Sequence, residues 1–381
     1  MRFTTPIPVL LTVPHLNPTA SPYRETMAIA RYLPREEFKL TICALRPKGV
    51  PESIPVLRHW GVDAFVARFR PTKQSPAGYL KSLREQRSID GRGPFAIQHS
   101  LDFTSSPFEA LMARCRSRIY IYNQRNMNES GHEILLGLKL RLAHAVIGIS
   151  GAVMAFLRAR GVPERKLRKI WLGIDLDQFD AQLEPSGPRH PGQILLAGQF
   201  ERRKRHGDAI RALAAVSRDC AEARLALAGN LFDAPYVEEL KSLAASLGVA
   251  DRVDFLGTRN DVPRLMRQSA AVVLCSESEA FGWVILEAMA AGTPVVASAV
   301  DGPREVIEHG KTGLLVPPGD IDGYAAALRA LLTEPSLGAG LAANARRAAG
   351  ERFSAAAMVA DIANLYRELL KPPHAAIHND D

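Results

Sequence analysis

Four cysteines in 381 residues, Cys43, Cys115, Cys220 and Cys275, are too few and too widely spaced for a disulfide framework or a CxxC zinc or redox pair. Cys43 and Cys275 lie in apolar runs, where a thiol packs as a small hydrophobe, so all four are expected to be free in a reducing compartment. No stretch approaches the ~18 uncharged apolar residues of a membrane-spanning helix. The opening MRFTTPIPVLLTVPHLNP has one Arg, a short apolar run bracketed by Pro6, Pro8 and Pro14, and no small-residue cleavage site. It reads as a first strand rather than a secretion signal, and a cytoplasmic location is expected. No G-x-G-x-x-G follows a strand-like run, which disfavours a dehydrogenase, and no motif or aromatic-basic interleaving points to nucleic acid.

What is present is the mix of a soluble globular chain, with 47% hydrophobic and 23% charged residues, long enough for two or three domains. The net charge of +8 is unevenly spread. Residues 1–180 carry 27 Lys+Arg against 15 Asp+Glu (+12), and residues 181–381 carry 21 against 25 (−4). The basic half suits an anionic acceptor or lipid surface, or is simply a solubilising surface.

Short apolar runs alternate with helical patterns throughout. Strands are predicted at 7–13, 39–45, 63–67, 95–99, 118–122, 145–149 and 168–171, then at 193–197, 224–228, 252–255, 271–275, 294–297 and 313–316. Between the two sets, AQLEPSGPRHPG (181–192) reads as a linker. The prediction is an α/β protein of two doubly wound, Rossmann-like domains facing a cleft: 1–180 on the acceptor side and 193–371 on the donor side. The last helix is expected at 354–370, with 372–381 a disordered tail.

The most informative stretch is CSESEAFGWVILEAMAAGTPVVAS (275–298). A strand ends in a polar loop, Phe281-Gly282 opens a helix, and Gly292-Thr293-Pro294 stops it. That helix is apolar on nearly every face and should be buried, yet it carries Glu287, and a buried carboxylate needs a protein donor or a ligand hydroxyl pair. Its N-terminus offers free N–H groups and a positive dipole end, and Gly282 permits close approach of a ligand. At ~1.5 Å per residue, Glu287 lies roughly 7 Å down the helix, about the reach from a diphosphate to the ribose of the same nucleotide. A nucleotide-sugar therefore fits, with its sugar near Glu279. A bare E-x7-E spacing arises by chance; the surrounding strand, loop and apolar helix give it weight. A second strand, QILLAG, runs into Gln199-Phe200-Glu201-Arg202-Arg203-Lys204-Arg205-His206. There Lys204 and Arg203 are candidates for phosphate contact, although a solvated charge run is an equal reading.

These residues closely resemble the donor-site signature of GT-B glycosyltransferases of family 4. The likeness rests on 276–320, supported by GQFERRKRHGDAIRA (198–212), LALAGN (225–230), RVDFLGTRNDVPRLM (252–266) and the segments within 144–179. It covers most of 144–370. The resemblance implies retaining transfer of a sugar from a nucleotide-sugar donor such as a UDP- or GDP-sugar, with no cofactor and no required metal. It implies Glu279 on donor-sugar hydroxyls, Glu287 on the ribose, and Phe281 and Gly282 on the diphosphate, with Gly198, Gln199 and Lys204 in the loop opposite. Gln199 departs from the family's usual Arg, so Lys204, Arg203 or another residue must meet that charge. Asn123 stands where the family often has a histidine. NPTASPYRET (17–26) replaces a Gly-Gly loop, leaving Ser21, Tyr23 and Arg24 to present a helix N-terminus.

Other features carry less. Asp175-Leu176-Asp177 is formally an Asp-x-Asp metal motif but reads as a turn with two solvated acids. Ser150 lacks the second glycine of a nucleophile elbow and reads as a helix N-cap. His99 ends a strand; it either touches acceptor or donor or is a hydrogen-bonded structural histidine. Residues 68–92, with Tyr79, Leu80 and Leu83 among Lys81, Arg84 and Arg87, form either a membrane-surface helix or a solvated one. A peripheral position on an anionic membrane and a saccharide or lipid-linked acceptor in cell-surface glycan synthesis go with the first. A UDP-sugar epimerase and a non-catalytic sugar-nucleotide or partner-binding protein remain as alternatives on the same scaffold.

Overall fold

The computed structural model describes residues 5–18, 21–67, 76–102, 104–127, 133–183, 187–231 and 233–371. The 372–381 tail and residues 68–75, the start of the basic 68–92 segment, therefore lie outside the described residues. Contacts divide the chain into two units. Unit 1 comprises residues 1–148, 154–170 and 356–381, and unit 2 comprises 149–153 and 171–355.

Unit 1 is built on seven parallel strands: β1 (Ile7–Val13), β2 (Phe38–Ala44), β3 (Asp63–Val66), β4 (Ile97–Ser100), β5 (Ile119–Gln124), β6 (Ala145–Gly148) and β7 (Leu167–Lys169), in the order 3-2-1-4-5-6-7. Unit 2 has six, β8 (His190–Ala197), β9 (Arg224–Ala228), β10 (Val253–Gly257), β11 (Ser269–Leu274), β12 (Val295–Ser298) and β13 (Leu314–Val316), in the order 10-9-8-11-12-13. Both are doubly wound Rossmann-like sheets, because helical crossovers lead away from a central strand in each direction. Their strands read as unbroken apolar runs because helices cover both faces; Leu10, Leu11, Val272 and Val296 are all fully buried.

The division of the chain differs from the expected linker. The crossing from unit 1 lies at Ile170, and residues 171–183 already pack with unit 2. There Asp175 caps the helix Leu176–Ala181 by accepting the Gln178 N–H at 3.1 Å, so it is a helix cap rather than one of two solvated turn acids. Asp180 of the same helix accepts from Arg346 at 2.6 Å. His190, Pro191 and Gly192, assigned to the linker by composition, open β8, where His190 pairs with Ser269. The final helix Ala355–Leu370 returns to unit 1: Tyr366 is fully buried there against Phe38, and Arg367 forks onto Glu37 at 2.6 and 2.7 Å.

Candidate active site

In a sheet of this order the crevice for ligands opens at the carboxyl ends of the two neighbouring strands where the winding reverses. In unit 2 these are β8 and β11, paired with Ala271 opposite Ile194. The loop leaving β8 holds Gly198 to Arg205, and the loop leaving β11 holds Cys275 to Gly282. Sheet topology thus brings together two segments about 75 residues apart in sequence.

The first loop is anchored by Gly198, whose N–H donates to Ala228 O at 2.8 Å, and by Phe200, fully buried and stacked on the His206 ring with centroids 4.4 Å apart. A single 3-10 turn, Arg202–Lys204, then aims the cations outward. The flanking arginines are engaged, Arg203 with Glu201 at 2.6 Å and Arg202 with Glu239 at 2.6 and 2.8 Å. Lys204 reaches the other loop, and its ammonium contacts the Glu279 carboxylate. The side chains of Lys204 and Glu279 are 12% and 16% exposed. His206, just behind, is pushed down to a pKa of about 4 by burial, aided by the positive charge of Lys204. It is therefore neutral and adds no charge to the pair.

The second loop is held by main-chain bonds: Glu277 N–H to Arg203 O at 2.8 Å, and Gly302 N–H to Glu279 O at 3.0 Å. A Cβ on Gly302 would stand 2.4 Å from Phe281 Cα, so only glycine admits this approach. Gly282 follows at φ 89, the left-handed conformation that turns the chain into the helix Trp283–Ala291. No side chain caps that helix, and the positive end of its dipole directly follows the loop that carries Glu279. Phe281 is 2% exposed. Glu287, one turn into the helix, is 5% exposed among fully buried Ile285, Leu286 and Ala288.

Residues 180–348 match the family described as glycosyl transferases group 1. Over that segment the chain matches a group 1 glycosyltransferase domain. N-acetyl-alpha-D-glucosaminyl L-malate synthase of Bacillus anthracis is 36% identical over 178 residues, 47% of this chain and 46% of that protein. D-inositol 3-phosphate glycosyltransferase of Frankia alni is 43% identical over 143 residues, 37% of this chain and 35% of that protein. The chain thus spans less than half the length of these two curated relatives. The structure of Anabaena Alr3699/HepE in complex with UDP and glucose superposes with a TM-score of 0.78 at 22% identity, covering 95% of this chain and 100% of that one. This is likeness of fold, and the fold is GT-B.

All eight residues singled out on the donor side, Gly198, Gln199, Arg203, Lys204, Glu279, Phe281, Gly282 and Glu287, lie in or next to the two β8 and β11 loops of the group 1 domain. The unit 1 candidates are placed differently. His99 is fully buried, with Nδ1 2.8 Å from Tyr366 Oη, and burial holds its pKa down at about 3. It is a packing histidine of unit 1, not a ligand contact. Asn123, 1% exposed, donates to Glu25 at 2.5 Å, and Glu25 in turn pairs with Arg125. Asn123 is thereby locked into a buried network rather than open to a ligand. Ser21 begins the helix Ser21–Tyr32 that also holds Tyr23 and Arg24. Ser150 accepts from Val153 N–H at 3.2 Å as a helix cap.

Several structurally important residues escape sequence reasoning. Glu109, 1% exposed, accepts from Thr12, from Gln98 at 3.2 Å and from Ser100 at 2.9 Å, joining β1 to β4. Lys139 is fully buried, with its ammonium 3.3 Å from Asp102, 2.8 Å from Thr104 O and 3.9 Å from the Tyr122 ring centre. Asp301, at φ 23, accepts from Glu279 N–H at 3.4 Å. The only signal for any of them is a charged residue inside an apolar stretch, which for Lys139 (EILLGLKLRL) was readable. In the helix Pro76–Asp90, Leu80 and Leu83 face solvent at 55% and 43% exposure, while Ser82 and Gln86 are buried. Among the described residues no helix is long and apolar enough to cross a membrane.

Proposed function

We propose that this protein is a retaining glycosyltransferase that moves a hexosyl group from a UDP- or GDP-sugar to a saccharide or lipid-linked acceptor. The observation that carries the reading is the convergence of Lys204, Glu279 and an uncapped helix N-terminus at the carboxyl ends of β8 and β11. This is the equipment for a diphosphate ester: a point cation, an array of backbone donors and a carboxylate for sugar hydroxyls. Gly282 lets the diphosphate approach the backbone, and Glu287 takes the ribose hydroxyls. Charge absent at Gln199 is supplied by Lys204, with Arg203 released from Glu201 when the donor binds. The names of two curated relatives, an N-acetyl-alpha-D-glucosaminyl L-malate synthase and a D-inositol 3-phosphate glycosyltransferase, support sugar transfer.

The chemistry needs no protein nucleophile. The bond from the anomeric carbon to the diphosphate oxygen breaks, and the acceptor oxygen bonds to that carbon on the same face. The acceptor proton passes to a leaving phosphate oxygen. Lys204 and the helix N–H groups stabilise the charge that builds on the departing diphosphate. The reading needs no metal. In unit 1, Ser21 and Arg24 are the residues proposed to contact acceptor or donor. Contact with an anionic bilayer belongs to the same proposal, through Leu80, Leu83, Arg84 and Arg87, all exposed on one helix.

The deciding experiment is a thermal-shift panel of nucleoside diphosphates and their sugars, because a ligand that binds only the native state raises its melting temperature. A shift with one diphosphate and its sugar, followed by product analysis with and without acceptor, is expected. A sugar-nucleotide product formed without acceptor would identify an epimerase, and binding with neither transfer nor donor hydrolysis a non-catalytic binder.

A further inference from the structure

Lys204 is delivered by a corner whose next residue breaks a local rule. Arg205 closes the 3-10 turn and opens the helix His206–Val216 with a left-handed backbone, φ 51 and ψ 46. Such a corner is costly for any residue with a Cβ and is ordinarily a glycine's place. The side chain that incurs this cost also holds the corner shut. Arg205 Nε donates to Asp208 Oδ2 at 2.5 Å. Asp208 belongs to the first helical turn, its side chain is 7% exposed, and its other oxygen faces Arg211 at 3.5 Å. From the main chain, Asp208 N–H donates to Arg205 O at 2.9 Å, and Arg205 N–H to Arg202 O at 2.9 Å. Arg205 Nη2 packs 3.2 Å from the point where a Cβ on Gly319 would stand, against the turn before the helix Ile321–Thr333.

Lys204 sits between the turn and this corner, its own N–H bonded to Glu201 O at 2.9 Å. A flip of Arg205 out of the left-handed basin rotates the peptide that joins it to Lys204 and re-aims the lysine. We infer that Arg205, clamped by Asp208, is a positioning residue that fixes the Lys204 ammonium against Glu279. The inference rests on the reading of that pair as the donor site. Asp208 acts on Lys204 only through Arg205.

The test uses the full chain as Arg205→Ala, Arg205→Gly, Asp208→Asn and the Arg205→Gly/Asp208→Asn double variant. Two readouts are taken: acylation of Lys204 by a small amine-reactive ester in ligand-free protein, and kcat and KM with the nucleotide-sugar that the wild type turns over. Arg205→Ala keeps the backbone cost and removes the clamp, so it should raise Lys204 labelling and lower kcat by about tenfold, since small misplacements of a charge-stabilising group are expensive. KM for the donor should move less, because the charge on the leaving diphosphate develops in the transition state. Asp208→Asn should behave alike. Arg205→Gly removes both cost and clamp and should recover most of the loss. In the double variant Asp208→Asn should add nothing to Arg205→Gly, the signature of one residue acting through another. A purely structural role would lower the melting temperature without this order in kcat and labelling.

Labelling and kcat of Arg205→Ala equal to wild type would overturn the inference, as would a full Asp208→Asn loss in the Arg205→Gly background. If Arg205→Ala gives no cooperative melt, Asp208→Asn against the double variant decides. A wild type that turns over no nucleotide-sugar defeats the donor-site reading alone, and the labelling order still reports on the corner.

Discussion

The two sheets present charge at their carboxyl ends in opposite ways. In unit 1 the charged groups are buried and engaged with one another: Lys139 with Asp102 at 0% and 1% side-chain exposure, Glu25 with Arg125 at 2% and 7%. In unit 2 Lys204 and Glu279 meet at 12% and 16% exposure beside a helix end that no side chain caps. A buried pair cannot exchange its partner without leaving a bare charge in a low-dielectric interior. A partly wet pair can, because water and ligand compete for both members. The same sheet topology therefore holds buried pairs in one unit and an exchangeable pair in the other, and only the second kind of pair suits a ligand that takes the place of one member.

The largest expected effect comes from breaking a buried pair. Lys139→Ala removes the counter-charge from buried Asp102, leaving it only neutral donors such as Thr104, and should cost about 3–5 kcal/mol, read as a lower denaturant midpoint, with activity per folded molecule preserved. The exchangeable pair should answer in the reverse sense. Lys204→Ala or Glu279→Ala should lower turnover on the order of 10²-fold or more while melting within a few degrees of wild type. Near-normal turnover in either purified variant would count against the site.

Smaller effects sharpen the contrast. Glu279→Gln removes the carboxylate that occupies Lys204, so the nucleoside diphosphate alone should bind roughly two- to fivefold tighter by calorimetry while sugar transfer falls. Weaker diphosphate binding would mean that the pair does not compete with the ligand. For pH, His99 is held neutral with a pKa of about 3, whereas the unfolded chain titrates near 6.5. The unfolded state therefore binds more protons below 6.5, and the stability of unit 1 should fall as pH drops from there toward 3. His99→Gln should flatten that slope; an unchanged profile would place the titration elsewhere.

Much of this architecture was legible. Each of the thirteen predicted strands has a counterpart, because a parallel strand covered on both faces must be apolar along its length, and runs such as QILLA or AVVLC have few other uses. The segment that carries the donor-side candidates stood out for a related reason: Gly282 and the lone Glu287 break an apolar helix pattern, and such breaks draw attention to a site. Less was readable where the decisive partner is remote. Composition marked 181–192 as a linker, but polar residues at the entrance of β8 look the same whether or not they pair with Ser269. Arg205 looked like one more member of a basic run, since nothing local announces a left-handed backbone held by a carboxylate three residues on.

Sequence alone determined the alternation of strand and helix and the chemistry at Gly282, Glu279 and Lys204, since these follow from hydrophobic period, backbone freedom and charge carried by neighbouring residues. Tertiary structure decided which of the charges meet. Whether a lysine ends sealed against Asp102 or half-wet against Glu279 depends on strand order and on how much water the packing leaves, and both are properties of the assembled sheet.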